Sequence, residues 1–367
     1  MIRRQQTLAA ATAVALLLSA ACAQTASATP HESPFDLGNA GAIVQALAPS
    51  FSGAPGDKSE LHISTNTNDS LGTLGTLGSP QIVATPADSQ GGIGISIDYV
   101  DGTSRSESGE FTVFRSQSPS VAAYVHPTYD GVQIITAIGS ADAPDAYSYT
   151  LDVPTGTELL PGHDGLMFNL VDPAGDRIGL LGAPWARDSA GRPVPTSFSW
   201  EGTTLTQHVD LSDPAISYPV IADPDWQYGV DYALGSANPG SAWTQLHTCF
   251  NCYFPIEGAP ASYPFLRSDL PLVVNFAGLV SSFHCKMGST YNSVPNAWGW
   301  YFAADSGHID GLGSAIFFDV IRNKTTGKTR LWVGGMVHND YPGGLPNPVY
   351  VAFGTAQWQV FANNLSL

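Results

Sequence analysis

Between residues 81 and 223 short apolar runs return at the interval of an all-β chain, and Gly, Pro, Asp or Asn closes each one before it reaches helical length. Strands are expected at 92–100, 110–115, 132–138, 147–153, 165–171, 177–181, 196–200, 205–210 and 218–222. The clearest alternation puts Ile93, Ile95, Ile97 and Tyr99 on one face and Gly94, Ser96 and Asp98 on the other. Asp172-Pro173-Ala174-Gly175-Asp176 is a turn between two of these strands. Only 12% of residues are charged, beside 38 Gly and 27 Pro, a balance that supplies many turns and few salt-bridged helices. A mainly β chain follows, with a β-sandwich-like or barrel-like module over residues 81–224.

The N-terminus carries a different signal. Arg3 and Arg4 precede an uncharged apolar run from Leu8 to Ala21, and small-residue sites follow at Ala21-Cys22-Ala23 and Ala26-Ser27-Ala28. The run is shorter than the roughly 20 residues of a spanning helix, so residues 1–28 read as a signal peptide cleaved after Ala23 or Ala28. Gln5 and Gln6 after the arginine pair favour ordinary secretion over twin-arginine export. Ser19, where a lipoprotein signal has Leu, weighs against lipidation of Cys22. No other apolar stretch is long enough to span a bilayer as a helix. The net charge of −17 becomes more negative once Arg3 and Arg4 leave, and it repels nucleic acid and anionic lipid. Solubility outside the cell is the plain reading of that acidity.

Residues 29–80 read as a low-complexity linker, with the repeat Leu71-Gly72-Thr73-Leu74-Gly75-Thr76-Leu77-Gly78 and one short helix from Asp36 to Leu47 bearing Ile43, Val44 and Leu47 on one face. Asp223-Pro224-Asp225 marks a boundary, and residues 225–367 form a smaller β-rich or α+β domain containing three of the four cysteines. There a hairpin is expected from Ser314 to Val337 across Asn323-Lys324-Thr325-Thr326-Gly327-Lys328. A short C-terminal helix from Thr355 to Leu365 carries Trp358, Phe361 and Leu365 on one face and closes the domain.

Two resemblances add to this. Ala183-Pro184-Trp185-Ala186-Arg187-Asp188, Pro193-Val194-Pro195-Thr196, Thr204-Leu205-Thr206-Gln207-His208-Val209 and Tyr218-Pro219-Val220-Ile221-Ala222-Asp223-Pro224 resemble a β-rich module that precedes varied C-terminal domains in secreted proteins of high-GC Gram-positive bacteria. That likeness covers about residues 125–224 and implies a supporting role. Cys249-Phe250-Asn251-Cys252-Tyr253-Phe254-Pro255, Phe283-His284-Cys285 and Gly307-His308-Ile309-Asp310-Gly311-Leu312-Gly313-Ser314 are similar to a bacterial secreted domain family of unknown function, which brings no activity with it.

Three constellations could carry chemistry. In an exported chain a disulfide is the default fate of Cys249, Cys252 and Cys285. The expected bridge joins Cys252, or alternatively Cys249, to Cys285 across a loop worth roughly 3 to 4 kcal/mol, leaving one thiol over. A zinc site at Cys249, Cys252 and Cys285 with His247 or His284 ranks below this, and a redox pair at Cys249 and Cys252 lower still, because no thioredoxin-like pattern surrounds them. No metal or other cofactor is expected. His308 and Asp310 are the candidate catalytic pair, an imidazole oriented by a carboxylate, against the favoured reading of a tight turn with Gly311 and Gly313 at positive φ. The same choice applies to His338-Asn339-Asp340. Trp298, Trp300 and Tyr301, with Trp243, Tyr253, Phe254 and Tyr263 elsewhere, are candidates for a sugar- or peptide-stacking surface, although alternate aromatics in strands more often fill a core.

Gly-x-Ser-x-Gly and His-Glu-x-x-His are missing, and Arg322 replaces the glycine that would make Thr326-Gly327-Lys328-Thr329 a phosphate loop. The expectation is a secreted or cell-surface protein that binds an extracellular or envelope ligand without catalysis. The alternative is a secreted hydrolase or toxin-like effector using His308 and Asp310.

Overall fold

The computed structural model describes residues 60–65, 78–85, 92–108, 111–127, 131–223, 225–227, 230–235, 237–276, 279–290, 294–336 and 347–366. The expected signal peptide, the helix at 36–47, residues 71–77 of the repeat and His338-Asn339-Asp340 lie outside them. The chain divides into residues 1–34 and Phe35–Leu367, and all described residues belong to the second unit.

The fold is mainly β, and the described residues form three antiparallel sheets, none of them a closed barrel. The first sheet runs in the order β1 (Glu60–Thr65), β2 (Pro80–Thr85), β3 (Ile93–Ile97), β8 (Ala146–Leu151), β14 (Thr204–Val209), β13 (Thr196–Glu201). Strand β1 thus comes from the stretch read as linker. The second sheet runs β4 (Ser106–Ser108), β5 (Phe111–Arg115), β6 (Val121–Pro127), β7 (Gly131–Ile138), β16 (Asp225–Gln227), β11 (Arg177–Gly182), β10 (Met167–Val171), β9 (Glu158–Gly162), while β12 (Trp185–Arg187) pairs with β15 (Val220–Asp223). Strands β15 and β16 both pair with β7 in one register, from Val220 opposite Ile138 to Asp225 opposite Gln133. The chain therefore stays in the second sheet for three residues past Pro224, and the third sheet begins at Val230.

These two sheets face each other as a sandwich. Ile82, Ile95, Ile97 and Tyr149 of the first share a buried core with Val125, Ile134 and Leu170 of the second. Strand β3 is buried along its whole length, because it lies inside the sheet and small Gly94 and Ser96 occupy its other face.

The third sheet runs β17 (Val230–Ala233), β22 (Thr329–Met336), β21 (Ala315–Arg322), β20 (Ala297–Ala304), β19 (Leu279–Met287), β18 (Asp269–Phe276). The expected hairpin is β21 and β22, paired from Ala315 opposite Met336 to Arg322 opposite Thr329. Around β20, β21 and β22 both faces of this sheet are packed. Phe317, Ile321 and Trp332 pack with Met167, Val171 and Leu180 of the second sheet. Their neighbours Phe318, Val320 and Leu331 point the other way, towards the helices.

Those helices are α1 (Pro239–Thr248), α2 (Phe250–Tyr253) and α3 (Asn347–Leu365). Helix α3 starts earlier than the expected cap at Thr355, and Phe361, Ala362 and Leu365 are its buried face. Asn238 caps α1: its side chain accepts from Ser241 N–H at 3.0 Å, Ser241 Oγ accepts from Asn238 N–H at 2.9 Å, and Pro239 occupies the first turn. Ala242 and Leu246, one turn apart, bury the inner side of α1 beside Phe250.

Polar pins join the second and third sheets. Asp176, held in the turn after β10, accepts from Thr325 N–H at 3.2 Å and Thr325 Oγ1 at 2.9 Å. Asp164 accepts from Ser289 Oγ at 2.7 Å and Tyr301 Oη at 2.8 Å. His163 and Arg177 both meet Asp319 in the buried layer between the sheets.

Candidate functional site

The cysteines pair locally. Cys249 and Cys252 form the disulfide with Cα atoms 5.3 Å apart, and Cys285 is a free, buried thiol, so neither long bridge to Cys285 is made. The cause is the break between α1 and α2. Cys249 is the last cap of α1 and the first of α2, and the turn that follows brings residue 252 back over it. A loop this short removes little chain entropy, about 2 kcal/mol, so the stapling value expected of a long bridge is not realised. Cys249 and Cys252 are consumed by each other and cannot serve as zinc thiolates. Among the described residues no group of three or more His, Cys, Asp and Glu is placed to hold a metal.

The loop from β20 to β21 carries His308 and Asp310 through successive turns, with Gly307, Gly311 and Gly313 at φ of 85°, 88° and 92°. Backbone bonds from His308 N–H to Asp305 O (3.1 Å) and from Gly311 N–H to His308 O (3.0 Å) fix it. The segment is not extended, yet the turn brings both side chains together, and it sets them against a residue that the sequence had placed elsewhere. His308 Nε2 lies 3.2 Å from Cys285 Sγ, and His308 Nδ1 lies 3.7 Å from Asp310 Oδ2 and 3.1 Å from Asp310 N, whose N–H it accepts. Phe283 presses edgewise on the imidazole. Register explains the meeting: Cys285 on β19 is opposite Ala304, the last residue of β20 before the loop.

Burial governs the electrostatics of this cluster. It pushes the Cys285 thiol up to about 12, helped by the Asp310 charge. It pushes His308 down to about 4, helped by the neighbouring His284. Thiol and imidazole are therefore both uncharged at neutral pH. The Asp310 amide favours the tautomer with hydrogen on Nε2, which donates towards Sγ. The Asp310 carboxylate favours the other, in which Nε2 can accept. The three side chains have the chemical types and order of a nucleophile, base and orienter, enclosed in the protein interior.

The aromatic candidates divide differently from the expectation. Trp298 and Trp300 are buried. Trp298 Nε1 donates to Pro239 O at 2.6 Å, and Trp300 stacks on Phe318 at 5.1 Å. Tyr301 points to the other face, where its hydroxyl donates to Asp164. These three hold layers together, because β20 lies between the helices on one face and the second sheet on the other.

A series of rings instead leads from that core to the surface. Trp300 stacks with Trp298 at 5.0 Å, and Trp298 meets Trp243 of α1 edge-to-face at 5.0 Å. Trp243 stacks on His247, one helical turn on, at 3.6 Å, and His247 stacks on Tyr263 at 4.0 Å. Trp243 remains 41% exposed. Two residues beyond Tyr263, Phe265 is 78% and Leu266 57% exposed in a turn closed by Ser268 N–H to Phe265 O at 2.9 Å. Helix α1 has no counterpart among the expected elements, although Asn238-Pro239-Gly240-Ser241 signals its start, and Trp243 and His247 four residues apart would then have been placed on one face.

Among the described residues no helix is long and apolar enough to cross a membrane. Compared with known proteins, the chain matches no family model, no curated protein and no solved structure. The two resemblances noted above thus rest on their motifs alone.

Proposed function

We propose that this is an exported, envelope-associated binding protein whose ligand face is the outer side of α1. The leader-like N-terminus, with cleavage after Ala23 or Ala28, and the acidic, charge-poor composition support export. The observation that carries binding is the exposed Trp243 ring, stacked through His247 on Tyr263, with Phe265 and Leu266 exposed nearby in sequence. Rings preordered in a stack offer a flat apolar surface with little further loss of side-chain freedom, which suits a sugar ring or a flat peptide side chain. The 81–224 module would then present this face. Co-sedimentation of the purified chain with isolated bacterial envelopes tests the reading. Retention of the wild type and a loss of about tenfold in Trp243→Ala support it, at about 1.4 kcal/mol per decade. Equal retention of the two proteins, or none, defeats it.

A second reading, a thiol-dependent hydrolase, is favoured by the 3.2 Å contact between Cys285 Sγ and His308 Nε2. It ranks second because the pair is buried and uncharged at rest. Release of p-nitrophenol from p-nitrophenyl acetate that disappears in both Cys285→Ser and His308→Gln would raise it above binding.

A further inference from the structure

The Cys249–Cys252 disulfide closes a segment that other contacts already hold. On its N-terminal side Cys249 N–H donates to Gln245 O at 3.0 Å and ends α1; on its C-terminal side Phe254 N–H donates to Phe250 O at 2.9 Å. Phe250 N–H also donates to Ala261 O at 2.8 Å. Phe250, inside the loop, and Phe254, just beyond it, are both buried: Phe250 stacks on Phe254 at 5.0 Å, and Phe254 packs against Phe302, Phe318 and Phe361. The segment thus has anchors other than the sulfur bridge, in these backbone bonds and in the buried Phe250 and Phe254. It also faces outward: Asn251 and Cys252 are exposed and Cys249 is half-buried. The third cysteine, Cys285, is held in the interior at 5% exposure and does not compete. Accessible disulfides that the fold does not depend on are those open to exchange.

We propose that Cys249–Cys252 is a thiol–disulfide exchange site for extracellular protein dithiols, a role beyond the binding function above. A partner thiolate attacks Cys252 Sγ, the Cys249–Cys252 bond breaks, and Cys249 leaves as a thiolate that takes a proton from water. The partner's second thiolate then attacks the mixed disulfide and releases Cys252. The partner is oxidised by two electrons to a disulfide, and the Cys249/Cys252 pair is reduced to two thiols. His247, two residues before Cys249, places the aromatic face next to the bridge, so a partner docked there would bring its thiols to hand.

The test uses the full, oxidised chain with dithiothreitol and glutathione as the probes. Reduction is followed by alkylation and peptide mapping, with thermal unfolding measured in parallel. The expected result is alkylation of Cys249 and Cys252 at reductant levels that leave Cys285 unmodified, with the midpoint lowered by less than about 8 °C. In Cys249→Ser, oxidised glutathione is expected to form a mixed disulfide on Cys252. The proposal is overturned if the bridge resists reduction until the protein unfolds, if reduction itself collapses the fold, or if glutathione is found on Cys285 and not on Cys252.

Discussion

Asp319 of β21 lies 2.8 Å from Nε2 of His163, which precedes it by 156 residues, and both side chains are completely buried. The other carboxylate oxygen pairs with Arg177, whose guanidinium sits 4.8 Å from the centre of the Trp332 ring. Two sheets made from different parts of the chain thus meet around one carboxylate. Apolar contact among Met167, Leu180, Phe317 and Trp332 supplies the area, while the ionic group fixes the relative position of the layers.

Removing that carboxylate leaves Arg177 buried without its partner. Asp319→Ala is expected to cost about 3 to 5 kcal/mol at neutral pH, measured by urea unfolding. Burial alone would raise the Asp319 carboxyl, but the charges of His163 and Arg177 and their hydrogen bonds outweigh it and hold it below the usual range. A depressed carboxylate stabilises the fold fully above the unfolded value of about 4, and that contribution is lost as pH falls through the folded value. The difference between wild type and Asp319→Ala should therefore shrink in strong acid. A gap that is constant with pH would mean that packing, and not charge, explains the effect.

Cys285 should be the only thiol of residues 249–285 to react in oxidised protein, and only slowly. Its thiol is pushed up to about 12, so little thiolate exists at pH 8. Ellman's reagent is expected to find almost no fast-reacting thiol in the folded protein and one in this segment after unfolding in denaturant without reductant, located by peptide mapping. Two or more alkylated cysteines in the segment would show that the Cys249–Cys252 bridge is not formed.

The sequence made some of this legible and hid the rest for physical reasons. The alternation at Ile93, Ile95 and Ile97, the β21–β22 hairpin and the Trp358, Phe361 and Leu365 face are local patterns, and local pairing reproduced them. Strand β6 escaped notice because Val121-Ala122-Ala123-Tyr124-Val125 is buried on both faces and shows no alternation. Trp298 and Trp300 offered the same pattern for a ligand platform as for a core. What decides between them is the cover of α1 and α3, which comes from distant parts of the chain. Cysteine pairing and the Cys285–His308 meeting depend in the same way on a helix break and a strand register that no spacing reveals. The stretch assigned to a linker gave β1, whose Glu60-Leu61-His62-Ile63-Ser64-Thr65 is too short to stand out beside the repeat that follows it.

His308 supplies a pH dependence in a different window from Asp319. Burial and His284 hold it at about 4, below the unfolded value of about 6.5. Between those two values the unfolded chain binds the proton and the folded chain does not, so stability rises with pH across the window, by on the order of 3 kcal/mol. His308→Gln should flatten the stability profile between pH 4 and 6.5 and leave the loss at lower pH, where Asp319 acts. Thermal unfolding at half-unit steps reads this directly. An unchanged slope in the variant would show that the imidazole is solvated and not enclosed beside Cys285.

Asp223 acts with the opposite sign. It is buried at the end of β15, accepts from Gln133 Nε2 at 3.0 Å through one oxygen, and is pushed by burial up to about 8. A raised carboxyl favours the fold most below its unfolded value near 4, and stability drains away as pH climbs towards the folded value, because the unfolded chain releases the proton into water while the folded chain still holds it. Asp223→Asn keeps the shape and the bond from Gln133 and has no charge to bury. The variant should match the wild type near pH 4 and exceed it by a growing margin up to pH 8.5, seen as a higher midpoint of thermal unfolding. A variant less stable at every pH would indicate that Asp223 is ionised in the fold and compensated by groups in contact with its second oxygen.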